Sequence, residues 1–147
     1  MSTEILSDYN VSGQRSALVS RGKQYSDIDL SLIPHPNKRD IMPLTDVAAV
    51  RNAIKNLVLT NRFERPFQPA IGANISRLLF ENAGPDTTFL LKSYIRDVIE
   101  KYEPRVDQIY VQVEDDSENN AYYVTITFNI ISVDSEVDIQ LYLERVR

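Results

Sequence analysis

The sequence predicts an α+β domain: about three helices packed on a small antiparallel sheet, ending in a three-stranded meander. Three observations carry this prediction. Apolar residues recur at helical spacing between about residues 45 and 102. The last third changes to strict alternation of apolar and polar residues. The two periods are segregated along the chain rather than interleaved, which favours helices gathered on an antiparallel sheet over a parallel βαβ arrangement.

Residues 1–24 mix Ser, Gly, Asn and charges without a period. They are expected to form a flexible arm or a segment ordered by a partner, and residues 25–147 a single α+β domain. Residues 25–33 alternate, with Ile28, Leu30 and Leu32 on one side, which predicts a short strand ended by Pro34 and Pro36. Thr45 is the expected N-cap of a first helix, with Asp46 at its positive end. Val47, Val50, Ile54, Leu57 and Val58 line one face, and the helix should end near Thr60-Asn61.

Two prolines, Pro66 and Pro69, forbid a helix in the next stretch and hold Arg65 and Gln68 extended. A second helix is expected from Ile71-Gly72, with Ile75, Leu78 and Leu79 as its apolar face and Gly84 as a left-handed cap. Pro85 suits the first position of a third helix that reaches Tyr102 through Leu91, Ile95 and Val98. Three alternating segments follow. Their apolar sets are Ile109, Val111 and Val113; Val124, Ile126, Phe128 and Ile130; and Val137, Ile139, Leu141 and Leu143. An acidic loop, Glu114 to Glu118, separates the first two. The result is a meander with one apolar face.

Composition excludes several function classes. The 147 residues include no cysteine, which removes disulfides, thiol catalysis and thiolate metal sites. A single histidine, His35, cannot build a multi-histidine metal site, so neither metal nor cofactor is expected. The net charge of −5 argues against nucleic acid as a partner. Residues 1–66 hold nine basic and seven acidic groups, and residues 67–147 hold seven and fourteen, so the two halves suit different neighbours. The N-terminus lacks the basic start and apolar run of a signal peptide, and no stretch approaches the ~18 apolar residues of a membrane span. The expected site of synthesis is a cytoplasm.

Little here suggests catalysis. The four glycines form no phosphate-binding loop, and no serine sits in a nucleophile-elbow pattern that His35 could serve. Paired carboxylates remain, with Glu64, Glu81 and Glu103 at element boundaries. A glycosidase would need two of them about 5–9 Å apart, one with a raised pKa. Each also has a simpler role in a salt bridge or a loop hydrogen bond. The sharpest local feature is Tyr102-Glu103-Pro104-Arg105-Val106, where Pro104 stops the third helix between two opposite charges. Arg105 can pair with Glu103 inside the domain or dock on a partner, and the residues alone leave both open.

Two motifs together resemble a known family. One is Ile54-Lys55-Asn56-Leu57-Val58-Leu59-Thr60-Asn61-Arg62-Phe63-Glu64-Arg65-Pro66-Phe67, continuing through Ile71-Gly72 to Leu78-Leu79-Phe80-Glu81; the other is Tyr102-Glu103-Pro104-Arg105. The resemblance is to the baseplate wedge proteins of contractile phage tails, the GPW-type sheath initiators called lysozyme-like, with relatives in type VI secretion baseplates. It spans roughly residues 25–147 and implies a structural, non-enzymatic role in the virion tail baseplate, assembled in the host cytoplasm. It implies that Glu103, Pro104 and Arg105 contact the bundle of wedge subunits and that the C-terminal sheet offers strands to the first ring of tail sheath protein. It further implies contacts with tube or hub proteins, and copies arranged around a symmetric ring. The lysozyme label is an analogy of fold and supplies no site. The alternatives are a carboxylate-dependent glycosidase acting on cell wall and, more weakly, an adaptor with unrelated partners.

Overall fold

The computed structural model describes residues 25–30, 32–34, 36–37, 39–131 and 135–145. Contacts divide the chain into two compact units, one ending at Asp46 and the other running from Val47 to Arg147. The arm expected over residues 1–24 and the loop histidine His35 lie outside the described residues.

In the first unit, β1 (Ser26–Ile28) pairs antiparallel with β2 (Pro43–Thr45). The strand expected over 25–33 is therefore only three residues long. Leu32 turns to a positive φ of 53°, which breaks the alternation, and Ile28, Leu30 and Leu32 are all exposed. Its partner β2 has no alternating pattern to announce it. Thr45 does not cap a helix, because it is paired with Ser26 in that ladder. Asp46 sits at φ 50°, donates its N–H to the Tyr25 carbonyl at 2.9 Å and accepts the Tyr25 N–H on Oδ1 at 3.4 Å.

The second unit begins with α1 (Val47–Leu59), which buries Val50, Ile54, Leu57 and Val58 of the predicted face and Ala49 beside them, while Val47 at its start is only half-buried. A 3-10 helix (Ile75–Phe80) stands where a longer second helix was expected. Asn74 enters it at φ 54°, and Gly72 before it lies at φ 127°, so the chain cannot be helical from Ile71. Ile75 and Leu78, three residues apart, fall on one edge of the tighter helix and are buried. Gly84 is not a left-handed cap. Its φ of 177° is extended backbone, and it serves instead as the N-cap residue of α2 (Pro85–Tyr102). Pro85 occupies the start of that helix as expected, and α2 buries Leu91, Ile95, Val98 and Ile99.

Strands β3 (Val106–Asp116), β4 (Ala121–Ile130) and β5 (Ser135–Glu144) form the predicted antiparallel meander in the order β3-β4-β5. Val111 and Val113, then Val124, Ile126, Phe128 and Ile130, then Val137, Ile139, Leu141 and Leu143 are all buried. Helix α2 packs along β3, while α1 meets α2 and β5. One detail escaped the alternation. Between Asp107 and Tyr110 the β3 register slips by one residue, with Gln108 at φ 51°. This bulge flips the face, so Val106 and Val111 are both buried although their numbers differ in parity. The acidic stretch is also shorter as a loop than expected. Glu114, Asp115 and Asp116 belong to β3, and Asp116 caps the turn by accepting the Asn119 N–H and side-chain amide at 3.3 and 2.7 Å.

The end of β5 is clasped to the rest of the sheet. The Arg145 N–H donates to the Asn120 carbonyl at 2.9 Å, and the Asn120 amide donates to the Arg145 carbonyl at 3.1 Å. The Arg145 guanidinium lies 4.8 Å from the Tyr122 ring centre and pairs with Asp115 on β3.

Candidate functional site

The turn after α2 is built by competing demands. Tyr102 is the last helical residue, and the Glu103 N–H still donates to the Ile99 carbonyl at 2.9 Å. Pro104 cannot continue the ladder, so the chain leaves the helix there. The Ile131 N–H then donates to the Arg105 carbonyl at 3.1 Å, which fixes the turn to the end of the sheet. Glu103 is only 5% exposed, an unusual position for a carboxylate. Arg105 satisfies it in the bidentate manner of a guanidinium fork, with Nε donating to Oε1 at 2.5 Å and Nη2 donating to Oε2 at 2.6 Å. The Arg105 side chain remains 29% exposed, and Pro104 is exposed beside it. The internal ion pair therefore forms, and it holds the guanidinium plane in one orientation at the surface.

Tyr102 joins this turn to a second feature. Its hydroxyl donates to the Ala70 carbonyl at 3.0 Å, at the far end of the Pro66–Pro69 loop. That loop is braced from within. The Phe63 N–H donates to the Pro69 carbonyl at 2.9 Å, and the Gln68 N–H donates to the Arg65 carbonyl at 3.2 Å. Glu64 accepts the Asn61 N–H at 2.8 Å and the Asn61 side-chain amide at 2.7 Å. Gly72 closes the loop against the end of α1, where a Cβ would lie 2.4 Å from the Thr60 carbonyl oxygen. The two prolines announce a loop in the sequence but not this brace. The Asn61–Glu64 spacing was its only local signal.

The three boundary carboxylates hold different environments. The Asn61 side chain, then its backbone N–H, keep the Glu64 carboxyl below its ordinary value of 4.5, the opposite of what a general acid needs. Glu81 is exposed at the end of the 3-10 helix. Glu103 has both oxygens on Arg105. Among the described residues no group of three or more His, Asp or Glu could hold a metal ion, and no helix is long and apolar enough to cross a membrane.

A family model described as baseplate wedge protein gp25 matches residues 45–135. Baseplate wedge protein gp25 of Enterobacteria phage T4 is 30% identical over 116 residues, covering 79% of this chain and 87% of the phage protein. Three solved structures share the fold at low identity. One from Geobacter sulfurreducens, labelled a tail lysozyme, aligns with a TM-score of 0.61 at 17% identity over 67% of this chain and 89% of its own. A chain of the anti-feeding prophage baseplate aligns at 0.53 and 14% identity over 84% and 87%. A chain of the type VI secretion baseplate complex aligns at 0.50 and 16% identity over 65% and 91%.

Proposed function

This chain belongs to the baseplate wedge protein gp25 family, and we propose that it is a structural component of a virion tail baseplate that docks on the wedge subunits through Glu103, Pro104 and Arg105. The observation that carries the docking role is the bidentate Glu103–Arg105 pair. A buried carboxylate sets the direction of the guanidinium on a partly exposed side chain, so little side-chain entropy is left to lose when a partner carboxylate or carbonyl meets it. The same reading gives the meander a part in starting the sheath. In the β3-β4-β5 order, β3 and β5 each leave an edge to which a sheath strand can add.

The role is structural, and Glu64, Glu81 and Glu103 serve the fold rather than hydrolysis. A suspension of purified cell walls should stay turbid in the presence of the protein. Clearing that Glu64→Gln or Glu81→Gln abolishes would overturn this part.

Co-purification with wedge subunits from the same genome tests the docking. Arg105→Lys keeps the charge but loses the planar fork, and it should retain the subunits about tenfold less well. Retention equal to wild type would remove the turn from the interface.

A further inference from the structure

Phenylalanine is usually a core residue, and this chain spends most of its supply elsewhere. Of five phenylalanines, only Phe128 is buried; Phe63, Phe67, Phe80 and Phe89 are exposed. Two of these stand four residues apart on the braced loop, Phe63 at 82% exposure and Phe67 at 98%. The loop is not loose chain that happens to carry aromatics. Its ends are tied by the Phe63–Pro69 hydrogen bond, its only acid is engaged with Asn61, and two prolines restrict the backbone between.

We propose that the loop from Asn61 to Ile71 is a second docking element, whose Phe63 and Phe67 enter an apolar groove on a protein subunit while Arg62 and Arg65 meet carboxylates on the rim of that groove. Three observations select this occupant. Neither Arg62 nor Arg65 forms an ion pair within the described residues, and Glu64 is committed inside the loop, so the outward charge is positive. The backbone is pre-organised, so insertion of the two rings costs little ordering. The Tyr102 hydroxyl bonded to Ala70 makes the loop continuous with the Glu103–Arg105 turn, so one protein partner can cover both. The inference goes beyond the docking turn: loop and turn lose binding through different substitutions.

The test uses the full chain and co-expressed wedge subunits from the same genome, with Phe63→Ser and Phe67→Ser introduced together. Both rings are already in solvent, so the variant should melt within about 2 °C of wild type. Its affinity for the subunits should fall by about tenfold or more. Arg62→Ser with Arg65→Ser should lose several-fold and flatten the salt dependence. Vesicles of phosphatidylethanolamine and phosphatidylglycerol should not sediment the wild type. Wild-type affinity in the Phe variant, a strongly lowered melting temperature, or vesicle binding that the Phe substitutions abolish would each overturn the proposal. Arg105→Lys measured alongside separates the two readings. Loss in the Phe variant alone leaves the loop and removes the turn. Loss in Arg105→Lys alone does the reverse, and a wild type that binds no subunit removes both.

Discussion

Replacing Arg105 with alanine strands a buried carboxylate. Glu103 is 5% exposed and directs both oxygens at the guanidinium, so the substitution removes both charge-assisted hydrogen bonds together. Breaking a fully buried pair costs about 3–5 kcal/mol, and losing an exposed one costs about 0–1 kcal/mol. This pair lies between those limits, because Arg105 is 29% exposed and water can follow it in. The expected loss is about 2 kcal/mol, which for a unit the size of Val47–Arg147 lowers the melting temperature by roughly 8–16 °C. The assay is thermal unfolding followed by circular dichroism, with a urea titration beside it. Glu103→Gln added to Arg105→Ala should recover much of the loss, because the stranded charge is then gone. An Arg105→Ala variant that melts within 2 °C of wild type would refute the reasoning and show that Glu103 is stabilised by other groups. The size of the effect also sets a condition on binding work: retention on wedge subunits must be compared well below the variant's midpoint.

Gly72→Ala should cost about 2–4 kcal/mol, since it combines a φ of 127° with a Cβ 2.4 Å from the Thr60 oxygen; an unchanged urea midpoint would contradict this. Tyr122→Phe should be neutral or stabilise by up to about 1 kcal/mol, because the hydroxyl is buried without a hydrogen-bond partner among the described residues while the ring under Arg145 is kept. A destabilised variant would reveal a partner for that hydroxyl. The Asn61–Glu64 clasp should respond to acid. The Glu64 pKa is lowered, so its contribution is complete above the ordinary value of 4.5 and is lost as pH falls through the lower folded value. An NMR titration of Glu64 with hydrogen exchange at the Asn61 amide checks this, and protection unchanged in acid would exclude it.

Alternation and helical spacing identified every long element of the second unit. Val50, Ile54 and Leu57 on α1, Leu91, Ile95 and Val98 on α2 and the three apolar strand faces are buried as the spacing predicts, except Ile109, which lies at the bulge and is only half-buried. These elements are long enough for the period to show, and each buries one face. The misreadings fall where local periodicity carries no information. Strands β1 and β2 are three residues each and depend on pairing with each other. The 3-10 helix depends on the left-handed backbone at Asn74, which no side-chain pattern near Ile71 reveals. Thr45 had the chemistry of a cap, but ladder pairing with Ser26 prevailed. At the candidate site, the turn was legible because a proline between opposite charges is a local statement. The burial of Glu103 was not, because it depends on the position of the turn against the sheet. Nor was the exposure of Phe63 and Phe67, since their residue type argues for the interior.

The clasp at the end of β5 bears on how the sheet carries mechanical load. A strand pulled from one end ordinarily comes away rung by rung, because the force falls on the outermost hydrogen bond alone. Here the outermost rung is reinforced. Arg145 is bonded through both its N–H and its carbonyl to Asn120, and its side chain grips Asp115 on β3. Tension at the end of β5 is therefore divided between the neighbouring strand and the far edge, and several bonds must fail together instead of in sequence. A pull applied beyond Arg145 reaches the opposite margin of the sheet through Asp115 as well as through the neighbouring strand.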